Sequence, residues 1–109
     1  MSAVETITAR SSQLLRMRTA RDHTTANLAT IRQRLAQAAE RRTRAATDLP
    51  PSHRRHSSDW TKRHEERFQR ILSELTSEAR HELGALEAKL KRQNAAIACH
   101  HLRHARNTT

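Results

Sequence analysis

Residues 49–60, LPPSHRRHSSDW, constrain the fold of this chain more than any other stretch, because they contain both prolines of the sequence. Proline lacks a backbone donor and disfavours helical geometry in the residue before it, so Pro50 is expected to end a helix near position 48. Ser57 and Ser58, a few residues later, are side chains that readily cap the start of a helix. The sequence therefore predicts a first helix over about 3–48, a loop over 49–57 and a second helix over about 58–105.

Apolar side chains recur at helical spacing on both sides of this loop. In the first helix they are Ile7, Leu14, Met17, Leu28, Ile31, Leu35, Ala38 and Ala45. In the second they are Phe68, Leu72, Leu75, Ala79, Leu83, Leu86, Leu90 and Ile97. Steps of three and four residues are typical of one apolar face of an α-helix. The first series is a heptad seam with polar interruptions, and the second is closer to an eleven-residue repeat.

The two apolar series fit a single antiparallel register when the chain folds back at the loop. The paired layers are Ile7 with Ile97, Leu14 with Leu90, Met17 with Leu86, Leu28 with Leu75, Ile31 with Leu72 and Leu35 with Phe68. Agreement between two independent patterns favours an all-α fold, a long antiparallel two-helix hairpin with coiled-coil-like packing in one domain over 1–109. Two helices bury one seam only, so dimerisation into a four-helix bundle is a further expectation.

The formal net charge of +10 favours an anionic partner, although a solvated surface of an arginine-rich chain is the simpler alternative. The basic tip around the loop comprises Arg41, Arg42, Arg44, Arg54, Arg55, Lys62 and Arg63. The open-end pole comprises Arg10, Arg16, Arg18, Lys89, Lys91, Arg92, Arg103 and Arg106. Between them, residues 65–87 are mildly acidic, so no continuous basic stripe is expected. We predict the basic tip as the site that binds a partner or phosphates.

Three further side chains of the loop region are candidate tip contacts: Trp60, His53 and His56. His64 is expected to join the histidines, which gain positive charge below about pH 6.5. Trp60 has two interpretations, stacking on a nucleic-acid base or covering the apolar seam near Ala45. The second is favoured, since proteins that bind single strands usually present several aromatic platforms.

The segment CHHLRH is the sharpest local motif for chemistry. His100 and His104 lie one helical turn apart, a spacing that can hold a transition metal, and Cys99 adjoins them. A closed metal site needs three or four ligands, so solvated side chains on a terminal turn are the favoured alternative and no metal or cofactor is predicted. The sequence has no Gly-rich phosphate loop and no nucleophile motif, and a two-helix hairpin encloses no cleft, so we predict that the protein is not an enzyme.

The location expected for the protein follows from its cysteine content and its hydropathy. Cys99 is the only cysteine, which predicts no intrachain disulfide and a reducing compartment. No secretory signal and no apolar run of membrane-spanning length is recognisable. These features favour a cytoplasmic protein without a membrane span.

In hairpin shape, length and basic surface, the predicted architecture resembles the helical stalk and chaperone proteins of bacterial flagellar and type III export systems. The resemblance implies that the ends of the hairpin dock into an acidic pore or ring. The favoured function is a non-enzymatic coiled-coil adaptor or structural interaction protein that docks on an acidic protein partner through its basic tip. The alternative is a nucleic-acid-binding protein that contacts phosphates through the tip and the open-end pole, with binding that weakens steeply as salt rises.

Overall fold

The computed structural model describes residues 3–107, with side chains described as far as position 105. Within this range all regular secondary structure is helical and there is no strand, which confirms the all-α part of the predicted fold class. Its elements in chain order are α1 (Ala3–Ala45), α2 (Lys62–Glu78) and α3 (Arg80–Asn107). Over the same range, no helix combines the length and the apolar character that crossing a membrane requires.

The loop between α1 and α2 is longer than the sequence predicted, because it begins earlier and ends later. It covers residues 46–61 instead of 49–57. At its start, the Ala46 N–H donates to the carbonyl of Thr43 at 3.2 Å, an i to i−3 bond that closes α1 with a tighter turn. At its end, Ser57 does not cap α2, since its hydroxyl bonds within the loop to Asp59.

Thr61 caps α2, and a histidine completes the cap. The Thr61 hydroxyl accepts from the His64 N–H at 3.3 Å, while the Nδ1 of His64 accepts from the Thr61 N–H at 3.0 Å. This reciprocal pair is a capping box in which histidine replaces the usual glutamate or glutamine. Thr61 and His64 stand at the threonine-x-x-acceptor spacing of this motif, so the sequence did carry the signal.

The predicted second helix is interrupted at Ala79, which separates α2 from α3. Ala79 has φ −90° and ψ 6°, outside helical geometry. Hydrogen bonding nevertheless continues on both sides, because the Ala79 N–H donates to Leu75 O at 3.1 Å and the Leu83 N–H donates to Ala79 O at 3.0 Å. The interruption is therefore a local departure from the α-helix.

The chain divides into two compact units. The loop unit comprises residues 29–83, and the terminal unit comprises residues 1–28 together with 84–109. The loop unit therefore contains the end of α1, the whole loop, α2 and the start of α3. The terminal unit contains the first part of α1 and most of α3.

The core of the loop unit is a small apolar cluster shared by α1 and α2. Ala39, Phe68 and Leu75 are buried in it, and partly buried side chains pack around them: Leu35, Ala36, Ala38, Trp60, Ile71 and Leu72. Ala45, predicted on the apolar face, is exposed, and Thr43 is buried in its place. The physical reason is that a straight helix of 3.6 residues per turn drifts away from a strict seven-residue repeat. The buried Thr43 hydroxyl is hydrogen-bonded, because it donates to Ala39 O at 2.8 Å.

The terminal unit buries Leu28 and Ile97, both of which were predicted on the apolar faces. Thr24 is also buried, with its hydroxyl donating to the carbonyl of Ala20 at 3.1 Å. Ile7 departs from the prediction, because 62% of its surface is exposed. It lies at the rim of a cavity between α1 and α3 rather than inside the packing.

Candidate functional site

Asp59 organises the loop that carries the predicted site. Its carboxylate accepts from the Ser52 hydroxyl at 2.9 Å and from the His53 N–H at 3.0 and 2.9 Å, and it also bonds the Ser57 hydroxyl. These donors, that of Ser57 first and that of His53 next, lower the pKa of Asp59 to about 2. The charge of Asp59 thus holds the loop backbone together.

The loop turns sharply at residues 54–57. The Ser57 N–H donates to Arg54 O at 3.2 Å, and the Trp60 N–H donates to Ser57 O at 3.0 Å. His56 between them has φ 68°, in the left-handed region that side chains with a Cβ rarely adopt. The surrounding hydrogen bonds hold this unfavourable conformation, so the loop presents one defined geometry.

Arg55, a predicted partner contact, is instead paired inside the loop unit. Its Nε and Nη2 donate to the two carboxylate oxygens of Glu65 at 3.0 and 2.5 Å, and its Cζ lies 4.1 Å from the centre of the Phe68 ring. Its backbone N–H donates to Glu40 at 2.6 Å. Pairing with Arg55 is the largest cause that lowers the pKa of Glu65 to about 2, and it raises the pKa of Arg55. Arg55 thus stabilises the fold, with its charge already neutralised.

Trp60 is half-buried on the same cluster. Its Nε1 donates to Glu65 at 2.8 Å, its ring stacks on His64 with centroids 5.2 Å apart, and it meets Phe68 edge-on at 6.2 Å. The indole therefore has a polar partner and aromatic neighbours within its own unit. It packs beside Ala39 and Phe68 rather than near Ala45, which is exposed.

His64 is fully buried, contrary to its expected place among the charged histidines. Its Nε2 lies 2.8 Å from the carbonyl of Pro50, which can only accept, so Nε2 carries a proton. Its Nδ1 lies 3.0 Å from the Thr61 N–H, which can only donate, so Nδ1 has none. Both ring nitrogens are thus satisfied by a neutral imidazole that joins the start of the loop to α2.

Asp48 forms a second link between the loop and α2. Both of its oxygens accept from Arg67, from Nη1 at 3.1 Å and from Nη2 at 2.5 Å, and its backbone carbonyl accepts from Arg63 at 3.4 Å. The Arg67 hydrogen bonds lower the pKa of Asp48, and the pKa of Arg67 is raised in turn. Arg67 was not predicted at the site, although it follows Arg63 by one helical turn.

The predicted cations of the tip thus separate into two groups. Arg55 is paired internally, whereas the others are exposed: Arg41, Arg42, Arg44, Arg54, Lys62 and Arg63. Of these, Lys62 lies 4.0 Å from Glu66 and Arg63 holds the carbonyl of Asp48. We call Arg41, Arg42, Arg44 and Arg54 the exposed arginines. His53 and His56 are also exposed, with no side-chain hydrogen bond to the part of the chain that the structure describes.

A shallow cavity of about 320 Å³ adds a feature that the sequence interpretation missed. It is lined by Leu49, Arg63, Glu66, Arg67 and Arg70. The three arginines follow one another by four and three residues, which places them on one face of α2. That spacing is the signal that would have extended the predicted site along the helix.

The weak metal candidates lie in the terminal unit. His100 and His104 face each other with their Nε2 atoms 2.9 Å apart, while Cys99 is exposed and lines a different cavity from His104. Partial burial first, and then the neighbouring charges beginning with His100 and Arg10, lower the pKa of His104. Within residues 3–105, no group of three or more His, Cys, Asp or Glu side chains is arranged to hold a metal. Arg106 of the open-end pole falls outside the described side chains.

Comparison with known proteins finds no family model that matches this chain, no matching curated protein and no matching solved structure.

Proposed function

We propose that this protein is a non-enzymatic adaptor that binds an acidic segment of a protein partner through the exposed arginines. The observation that carries the proposal is the division of charge in the loop unit. The exposed arginines make no ion pair to a carboxylate among the residues that the structure describes, while Glu65, Asp48 and Asp59 are each held by internal donors. Carboxylates of a partner would form ion pairs with these exposed arginines.

The rigidity of the loop supports the same function. A loop fixed by Asp59, by the Arg55–Glu65 pair and by His64 loses little conformational freedom when a partner binds. The side chains of the exposed arginines keep their own freedom, so they can adapt to carboxylates at different positions. This combination suits an acidic segment better than a ligand that requires a closed pocket.

An acidic protein is preferred to a single-stranded nucleic acid because the indole of Trp60, the aromatic side chain that could stack on a base, already has partners within the loop unit. Trp60 donates to Glu65 and packs against His64 and Phe68, so stacking on a base would break contacts that hold the loop unit together. Contact with duplex phosphates through the exposed arginines is the second candidate, because Arg63 and Arg70, both exposed, extend the cationic surface along α2.

The architecture in which these contacts would operate is part of the proposal. The chain forms a long antiparallel hairpin with coiled-coil-like packing, acts in the cytoplasm and dimerises through its terminal unit. Support for dimerisation comes from large apolar side chains that stay exposed there: Val4, Ile7, Leu15 and Leu102. Light scattering at two concentrations tests the dimer, and a monomer at both would contradict it.

Fluorescence anisotropy tests the proposed function. A labelled glutamate-rich peptide and a labelled DNA duplex are titrated with the protein near physiological salt. Replacing the four exposed arginines with glutamine should weaken peptide binding about 10–100-fold, since each rim charge pair contributes roughly 0.2–1 kcal/mol. The matched control replaces four arginines of the terminal unit: Arg10, Arg16, Arg18 and Arg103.

The outcomes separate the candidate functions. Peptide binding that the control variant retains and the tip variant loses supports the adaptor. Tighter binding to the duplex, with a steep loss as salt rises, supports the phosphate-binding alternative. Equal losses in the two variants would contradict a site at the tip, because they would indicate attraction by net charge alone.

A further inference from the structure

We propose that His100 and His104 form a bidentate site for a divalent late transition-metal ion, with Ni²⁺ and Cu²⁺ preferred to Zn²⁺ and Mn²⁺. The two imidazoles supply two cis ligands, and water molecules complete the coordination. The site lies in the terminal unit and does not depend on the function proposed for the loop.

The geometry of the two rings is the first support. They are one turn apart on α3, their centroids are 4.0 Å apart and their Nε2 atoms are 2.9 Å apart. Because the nitrogens are closer together than the ring centres, the two Nε2 atoms face each other. Neutral imidazole nitrogen is a common ligand for Ni²⁺, Cu²⁺ and Zn²⁺.

The Nε2–Nε2 distance of the metal-free pair is close to the separation of two cis ligands on one metal. With metal–nitrogen bonds of about 2.0–2.1 Å, nitrogens separated by the observed 2.9 Å subtend an angle of about 90° at the metal. A tetrahedral angle would require them to be about 3.3 Å apart at the same bond length. Cis ligands at right angles belong to square-planar, tetragonal and octahedral coordination, which Cu²⁺ and Ni²⁺ adopt and which structural Zn²⁺ does not favour.

Protonation of the pair is compatible with metal binding. The Nε2–Nε2 hydrogen bond requires a proton on one of the two nitrogens, and a metal would take its place. The displaced proton can pass to Nδ1 of the same ring. The Nδ1 of His100 is buried and makes no hydrogen bond to the described residues, so protonating that atom breaks no existing bond but leaves an unpaired N–H that lowers the affinity for the metal.

The surroundings of the two rings leave room for water ligands. The cavity beside the rings measures about 290 Å³ and is lined by Ile7, Arg10, Ser11, Leu14 and His101. Arg10 opposes a bound cation electrostatically and therefore limits the affinity. Cys99 is exposed and lines another cavity, which it shares with His100 but not with His104.

Isothermal titration of the protein with NiCl₂, CuCl₂, ZnCl₂ and MnCl₂ near neutral pH tests the proposal. We expect one Ni²⁺ or Cu²⁺ per chain, weaker binding of Zn²⁺ and the weakest binding of Mn²⁺. His104→Gln should lower Ni²⁺ affinity by more than the roughly 10–100-fold typical for loss of an outer-shell partner, because it removes a direct ligand. His100→Gln should have the same effect.

Two matched controls distinguish the pair from general attraction to histidine or thiol. His101→Gln removes an imidazole from the same cavity, and Cys99→Ser removes the adjacent thiol, and each should retain Ni²⁺ affinity within about threefold. Circular dichroism checks that each variant keeps its helix content. The proposal is overturned if His101→Gln weakens binding as much as His104→Gln, or if Mn²⁺ binds as tightly as Ni²⁺.

Discussion

Glu65 should contribute more to the stability of the loop unit than any neighbouring carboxylate. It accepts two bonds from Arg55, one from Trp60 at 2.8 Å and one from Gln69 at 3.1 Å. Glu65→Gln preserves the shape of the side chain while removing its charge. Adjacent Glu66 is a matched control, since 67% of its side chain is exposed and its carboxylate lies 4.0 Å from the Lys62 Nζ.

The expected loss follows from the pKa of Glu65. A pKa lowered from 4.5 to about 2 corresponds to about 3 kcal/mol of preferential stabilisation of the charged form. The side chain of Glu65 is 33% exposed, so solvent screening reduces this to about 1.5 kcal/mol. Glu65→Gln should therefore lower the free energy of unfolding by about 1.5 kcal/mol, and Glu66→Gln by at most about 0.5 kcal/mol.

Urea unfolding followed by circular dichroism and by the fluorescence of Trp60 measures both variants. The pH dependence supplies a second check with a defined sign. Since the folded pKa of Glu65 is lowered, its stabilisation is complete above about pH 4.5 and is lost as the pH falls through about 2. The difference between wild type and Glu65→Gln should shrink over this window. Equal stabilities of Glu65→Gln and Glu66→Gln near neutral pH would refute the reasoning.

Three further predictions concern the loop and the helix that precedes it. Arg55→Gln should lower the free energy of unfolding by about 1–3 kcal/mol, while Arg54→Gln should change it by less than about 0.5 kcal/mol, both measured by urea unfolding. Asp59→Asn should speed amide exchange at His53, and the wild-type protection should fade between about pH 3.8 and pH 2, because the folded pKa of Asp59 is lowered to about 2. Thr43→Val should alter stability by less than about 1 kcal/mol in thermal unfolding, since the Thr43 hydroxyl bonds a carbonyl within its own helix.

Arg54 and Arg55 show where inference from the sequence ends. The two residues are identical and adjacent, yet one is exposed and the other pairs with Glu65 over the Phe68 ring. Whether each arginine side chain is exposed or paired depends on the direction of the backbone at its position. The left-handed turn at His56 and the hydrogen bonds of Asp59 determine that direction. The local composition of the sequence shows how many charges the loop carries, but it does not show the direction of the backbone. Both arginines were therefore predicted at the site.

The apolar pattern was more informative because burial follows directly from it. Phe68 and Leu75 were predicted on the apolar face of the second helix, and both are in the core cluster. The pattern failed near the end of α1, where Ala39 and Thr43 are buried and Ala45 is not. Alanine and threonine are compatible with either side of a helix, so only the actual rotation of α1 against its neighbour decides between them.

His64 gives the sharpest test of whether hydrogen bonds or volume hold the loop to α2. His64→Phe keeps an aromatic ring of similar size against Trp60 but leaves the Thr61 N–H and the Pro50 carbonyl without their partners. Leaving a buried donor or acceptor unpaired costs about 1–3 kcal/mol each, so the two groups together predict a loss of about 2–6 kcal/mol in urea unfolding. If packing alone mattered, His64→Phe would match wild type while His64→Ala would be strongly destabilised. Equal stability of His64→Phe and wild type would therefore show that the imidazole contributes only by packing. It would also show that the capping box adds nothing measurable to the free energy of unfolding.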